Sequence, residues 1–160
     1  MPKILIAYFS HGGNTRKMAE ALAKGLEDAG CQVDLKKLAD TSNQDLLDAD
    51  GVLLGSPCYF GAMAAPMKEF IDQSIALFGK GELEGKPAGA FVSTGGIGGG
   101  GELTILNMLH GLLIHGMVVQ GQRKGGHFGP LAIGEPDQRV LGECQAYAAR
   151  FAELVKKLAG

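Results

Sequence analysis

Ser10-His11-Gly12-Gly13-Asn14-Thr15 gathers hydroxyl and amide donors around two adjacent glycines. It follows the apolar run Lys3–Phe9, which reads as a buried strand. Met18, Leu22 and Leu26 then recur at the spacing of one helix face, so a helix is predicted from Asn14. A strand, a tight turn and a helix start bring unpaired N–H groups and the positive end of the helix dipole to one point. That arrangement suits a phosphate, and the glycines let it approach the backbone. The same residues also suit an ordinary strand–helix connection with a Ser or Asn cap. A nucleoside-triphosphate loop needs Gly-Lys-Ser/Thr, but Asn14-Thr15 follows Gly13 here. A dinucleotide fingerprint needs three spaced glycines and an acidic residue ending the second strand, and neither is present.

Two further stretches have unusual composition. Ser56-Pro57-Cys58-Tyr59-Phe60-Gly61 sets adjacent aromatics just after an apolar strand, where they could flank a flat ring or plug the core. Cys58 could touch a ligand or serve as a small hydrophobe, and it is not read as a nucleophile. Ser93-Thr94-Gly95-Gly96-Ile97-Gly98-Gly99-Gly100-Gly101 could be a linker. However, a buried strand enters it and an amphipathic helix leaves it. Peptide groups from Gly95 to Gly101 could meet the edge of a planar polar ring, with the Ser93 and Thr94 hydroxyls beside them.

The elements that must position these stretches alternate between strand and helix. Strands are predicted over Lys3–Phe9, Cys31–Leu35, Gly51–Gly55, Pro87–Val92 and Met117–Val119. Between them lie the first helix, a short helix or turn within 38–50 resting on Leu46 and Leu47, and helices over Pro66–Phe78 and Glu102–Ile114. Met67, Phe70, Ile71, Ile75 and Phe78 form the expected buried side of the 66–78 helix. Residues 121–136 read as irregular. A final helix over Asp137–Leu158 carries the stripe Leu141, Cys144, Tyr147, Phe151, Leu154 and Leu158. Such alternation implies a parallel sheet with helices on both faces, and ligands then sit at the carboxyl ends of the strands. The three unusual stretches follow the first, third and fourth strands, so they converge on that edge.

The length of 160 residues suits one domain, 1–160. A net charge of -2 without a basic run argues against nucleic acid as partner. No stretch reads as a signal peptide or membrane span, so a cytoplasmic protein without membrane association is expected. Cys31, Cys58 and Cys144 are too scattered for a disulfide framework or zinc site. His110 and His115 fall on different helix faces and make no metal pair. His115 could reach the ligand edge or simply face a helix dipole. His127, beside Gly125, Gly126 and Phe128, is expected at the pocket rim.

Residues 10–15 resemble the FMN-phosphate loop of flavodoxins. GSPCYFGAMAAPMKEFID (55–72) and STGGIGGGGELTILNMLHGLLIHGMVV (93–119) resemble the tryptophan-repressor-binding-protein-like NAD(P)H:quinone oxidoreductases. The resemblance implies a flavodoxin-like α/β/α sandwich with a five-stranded parallel sheet in the order 2-1-3-4-5. It implies FMN held by Ser10, His11, Gly12, Gly13, Asn14 and Thr15 at the phosphate. Pro57, Cys58, Tyr59, Phe60 and Gly61 would border its ring, together with Ser93, Thr94, Gly95, Gly96, Ile97, Gly98 and Gly99. His115 matches a family histidine near the flavin, reached across a subunit interface, and is the one candidate for stabilising charge in catalysis. NAD(P)H and a quinone-like acceptor are the implied partners, and a homo-oligomer, dimer or tetramer, is the implied assembly. The alternative is a flavodoxin passing single electrons to protein partners. The chain departs from the branch in three ways: Gly12 replaces an aromatic, tryptophan is absent, and the segment between the second and third strands shrinks to about Thr41–Asp48.

Overall fold

The computed structural model describes residues 1–159. Strand β1 (Lys3–Tyr8) is followed by α1 (Asn14–Asp28), β2 (Gln32–Lys37), a 3-10 turn (Leu38–Asp40) and α2 (Asn43–Asp48). Next come β3 (Gly51–Tyr59), β4 (Ala62–Met63), α3 (Ala65–Gln73), α4 (Ile75–Phe78), β5 (Pro87–Thr94) and α5 (Gly101–Ile114). The chain ends with β6 (Val118–Val119), β7 (Leu131–Ile133) and α6 (Gln138–Leu158).

The parallel path runs β2-β1-β3-β5-β6, which is the expected order with the fourth and fifth strands being β5 and β6. The sheet has seven strands rather than five, because β4 pairs antiparallel with β3 and β7 pairs parallel with β5. Alternation along β1 divides the core. Ile4, Ile6 and Tyr8 face Met18, Leu22, Leu26 and Phe151, while Leu5 and Ala7 lie in the opposite core with Leu46, Met67, Leu77 and Ile105. The flavodoxin-like three-layer arrangement therefore holds, with α1 and α6 on one face and α2 to α5 on the other.

The region read as irregular contains the other half of the fifth strand. β6 pairs with Pro87 and Ala88, and β7 pairs with Val92 to Thr94. Residues 120–130 leave the sheet between the two halves. The excursion is tied back to α6, where Arg150 donates to the Gln122 side chain and Gly126 N–H donates to Glu143. His127 donates through Nδ1 to the Gln122 carbonyl at 2.8 Å. It leaves the sheet mid-strand, and His127 is exposed there rather than lining the cleft at the strand ends.

Two helix faces also differ from expectation. The 66–78 helix breaks at Ser74, whose hydroxyl donates to the Ile71 carbonyl at 2.6 Å. Met67 and Phe70 are buried and Ile71 is half-buried, but the break turns Ile75 and Phe78 outward and places Leu77 in the core. On α6, Cys144, Tyr147 and Phe151 are buried, whereas Leu141 and Leu154 are half-buried and Leu158 is exposed. The buried stripe is completed by Val140, Ala148, Ala152 and Val155, because α6 approaches α1 through small residues. A Cβ on Gly25 would lie 2.8 Å from that of Ala148.

Gly55 is equally constrained, since a Cβ there would fall 2.1 Å from Phe91 Cζ, whose ring is sealed between the layers. Gly55→Ala is expected to lower stability by about 1–3 kcal/mol through overpacking, read as a fall in the urea midpoint. Acid sensitivity should appear at α2. The hydrogen bond from Lys36, followed by those from the Ser42 backbone and hydroxyl, outweighs burial and holds the Asp45 carboxyl below its ordinary range. A depressed folded-state pKa stabilises above the unfolded value, and that contribution fades as pH falls through the folded value. Asp45→Asn should therefore flatten the acid limb of the stability profile.

Candidate flavin site

The first loop is a backbone cradle. Gly13 stands at the N-cap of α1 with φ 97° and has no side chain of its own to cap the helix. The leading N–H groups of such a helix have no partners within it. The amides of Gly13 and of Arg16, in the first turn of α1, donate to Ser10 Oγ at 3.2 and 3.3 Å. Ser10 thus caps that turn from within the loop. A Cβ on Gly12 would meet nothing within 4 Å and one on Gly13 only the tip of Arg16, so the space before the loop is open.

Thr15 is buried, and its Oγ1 lies 2.9 Å from Ser93 Oγ. A hydroxyl pair uses one proton internally and leaves the other free. One donor can therefore still face the cleft, while the pair fastens the first loop to the end of β5.

Residues 56–59 belong to β3 rather than to a loop. The turn proper is Phe60-Gly61, with φ 50° and 77°. Positive φ at both central positions is the hairpin geometry that normally takes Asn-Gly. Here a fully exposed phenylalanine is held in it, and such strain on a bulky residue points to a functional constraint. Tyr59 meets Phe9 edge to face with centroids 6.5 Å apart.

The glycine loop is braced. Cys58 Sγ donates to the Gly99 carbonyl at 3.2 Å. Thr104, fully buried on α5, donates to the Gly100 carbonyl at 2.8 Å and lies 3.1 Å from Cys58 Sγ. A Cβ on Gly100 would stand 2.8 Å from Gly61 Cα, so the second and third loops touch backbone to backbone. By contrast, Gly95, Gly96 and Gly98 face open space. Cys144 is a different kind of thiol: burial pushes it up to about 12, and it acts as core.

One cleft is lined by Ser10 to Gly12, Asn14, Thr15, Pro57 to Tyr59, and Ser93 to Gly95. Gly13 lies just behind it, lining the neighbouring cavity. Phe60, Gly61 and Gly96 to Gly99 do not line it. His115 is elsewhere. It follows the last residue of α5, about 20 Å along a 14-residue helix from Gly101. There it meets Phe78 edge to face. The Ser74 hydroxyl already donates to Ile71, so at 2.7 Å its oxygen accepts from His115 Nε2. Burial lowers the His115 pKa and favours the neutral ring. Thr104 was missed from sequence, having no signal beyond a polar residue in a helix, and so were Phe9 and Arg16 beside the first loop.

An N–H cradle for a phosphate, an aromatic wall and a peptide edge with an open face, all at the carboxyl ends of a parallel sheet, fit FMN. They define a flavodoxin-fold flavoprotein. Residues 3–125 match the family described as NADPH-dependent FMN reductase, and the chain belongs to that family. It is an FMN-binding oxidoreductase. A relative from Archaeoglobus fulgidus named NAD(P)H dehydrogenase (quinone) is 32% identical, covering 99% of this chain and all of its own. One from Aquifex aeolicus named flavodoxin is 37% identical, covering 97% of this chain and 88% of its own. The crystal structure of a flavodoxin, WrbA-like protein from Agrobacterium tumefaciens superposes with a TM-score of 0.85. At 24% identity over 98% of this chain and 99% of that one, it shows the shared fold.

Thr15→Val strands a buried Ser93 hydroxyl and is expected to cost about 1–3 kcal/mol. Thr15→Val combined with Ser93→Ala should cost less than the sum of the single changes, giving a measurable coupling in a denaturation cycle on the FMN-free protein.

Proposed function

We propose that the chain acts as a single flavodoxin-like domain that transfers electrons from NAD(P)H to quinones or similar planar acceptors in the cytoplasm. FMN, when bound, supplies the redox chemistry. The first loop, through Ser10 to Thr15, holds the phosphate. Pro57 to Gly61 and Ser93 to Gly99 border the ring, and the Cys58–Thr104 brace keeps the glycine loop from closing over it. The observation that carries this reading is the open, side-chain-free face at Gly95, Gly96 and Gly98, which leaves room for a flat donor and then a flat acceptor.

A carrier docking to basic proteins would want an acidic rim. Here Lys17 pairs with Glu135, and Arg16 and Lys37 border the same edge. The relative named flavodoxin keeps the carrier as the alternative. No helix among the described residues is long and apolar enough to cross a membrane, which supports action away from one. The exposed Ile75, Phe78 and Ile114 around His115 support a homo-oligomer, dimer or tetramer, in which His115 would serve a neighbouring subunit's site and stabilise charge there.

In anaerobic stopped-flow, NADH or NADPH should bleach the FMN-loaded protein rapidly and benzoquinone should restore the colour. Failure of both nicotinamides to bleach it would favour the carrier. Asn14→Ala with Thr15→Val should weaken FMN by about tenfold or more while riboflavin binding changes little. Equal loss for both ligands would mean the loop does not hold the phosphate.

A further inference from the structure

Beside the cofactor cleft lies a second cavity of about 310 Å³, between the Phe9–Gly13 turn and the end of β2. It is as large as the smaller of known small-molecule sites, which run from roughly 300 Å³ upward. Ser10 and His11 line both cavities, so the two are separated only by the first loop. Gly12, in that partition, carries no side chain, and a Cβ there would meet nothing within 4 Å. Phe9 lines the second cavity and touches Tyr59 of the first, giving a continuous aromatic strip.

The charge in this cavity is positive. Arg16 and Lys37 both line it. Among the described residues the one ion pair of Arg16 is with Glu20, at a long 3.6 Å on the helix surface. Lys36, the preceding residue of β2, is occupied by Asp45 at 2.6 Å, whereas Lys37 has no carboxylate within ion-pairing distance among the described residues. Lys37 is also the last residue of β2. In doubly wound sheets that bind dinucleotides, charge near this position discriminates the cofactor: an acid accepts from a ribose 2′-hydroxyl, and a cation accommodates a 2′-phosphate.

We propose that this cavity receives the adenosine end of the nicotinamide donor, and that Lys37 and Arg16 hold its 2′-phosphate, selecting NADPH over NADH. Phe9 offers a face edge for the adenine, and Gly12 gives the pyrophosphate passage over the loop. The nicotinamide end then lies in the first cleft. The assignment rests on the reductase reading above.

The test is calorimetric titration of the FMN-loaded protein with adenosine 2′,5′-bisphosphate and with 5′-AMP, in wild type, Lys37→Glu and Arg16→Ala. The bisphosphate should bind wild type about tenfold more tightly than 5′-AMP, and either substitution should remove about that advantage. FMN affinity measured on the same Lys37→Glu preparation should stay unchanged, which shows that the first loop is intact. In anaerobic mixing, the preference for NADPH over NADH should collapse in Lys37→Glu. If both nicotinamides bleach the flavin but the bisphosphate shows no advantage over 5′-AMP, or keeps it in both variants, the cavity assignment is wrong and the reductase reading stands. If neither nicotinamide bleaches the flavin, the reductase reading fails and this assignment falls with it.

Discussion

The Thr15–Ser93 hydroxyl contact joins the start of a helix to the end of a central strand across 78 residues of sequence. Its importance follows from what it connects. A loop of backbone amides has no strength of its own, because each amide points wherever the helix start points. Close packing of Met18, Leu22 and Leu26 seats α1 on the sheet. The bond between the buried hydroxyls adds a directional constraint at the helix start. It sets the first loop relative to β5, and β5 in turn carries the glycine loop. The second loop is then placed by direct contact, with Gly61 lying against Gly100 and Cys58 bonded to Gly99. The three loops form one mechanically connected rim rather than three independent turns.

Rigidity in that rim comes from a few side chains that hold main chain in place. Thr104 anchors the Gly100 carbonyl, Cys58 reaches the Gly99 carbonyl, and Gly100 packs against Gly61. A rim built this way keeps its side chains out of the opening. It also concentrates glycine along the opening, where peptide groups rather than side chains are presented. The strained Phe60 is the exception, a large ring projected into solvent from the one turn that the brace immobilises.

The strand–turn–helix unit at the amino terminus was legible because three levels of pattern agree there: an apolar run, a glycine turn and fourfold spacing. The edge on which the loops gather followed from strand–helix alternation alone. What stayed hidden has physical reasons. Val118-Val119 and Leu131-Ala132-Ile133 are too short to display a period, so a strand split by an excursion looks like loop. The break at Ser74 depends on a hydroxyl partner from a distant helix end and leaves no local trace. On α6, Cys144, Tyr147 and Phe151 were legible, while Leu141, Leu154 and Leu158 were expected to be buried with them. Yet the closest packing with α1 sets Gly25 against Ala148, and such small residues carry little weight in hydrophobic periodicity. Lys37 falls beyond the strand expected over Cys31–Leu35 and carries no signal in the sequence, and only the cavity beside it gives it a context. His115 shows the opposite limit: likeness to a family attaches it to the flavin, while the fold of one chain sends it to the far end of α5.

The split fifth strand has a bearing on how the chain avoids sticking to itself. An open sheet ends in two strands whose unpaired backbone groups invite further strands. On one side that strand is β2, where Asp34, Lys36 and Lys37 supply charge along a short edge. On the other, the edge is divided into pieces of two and three residues, and the intervening turn is strapped to α6 by Arg150 and Glu143. No continuous template remains there for another chain to extend. The excursion thus guards the fold against fibrous association, a protective task separate from any part in catalysis.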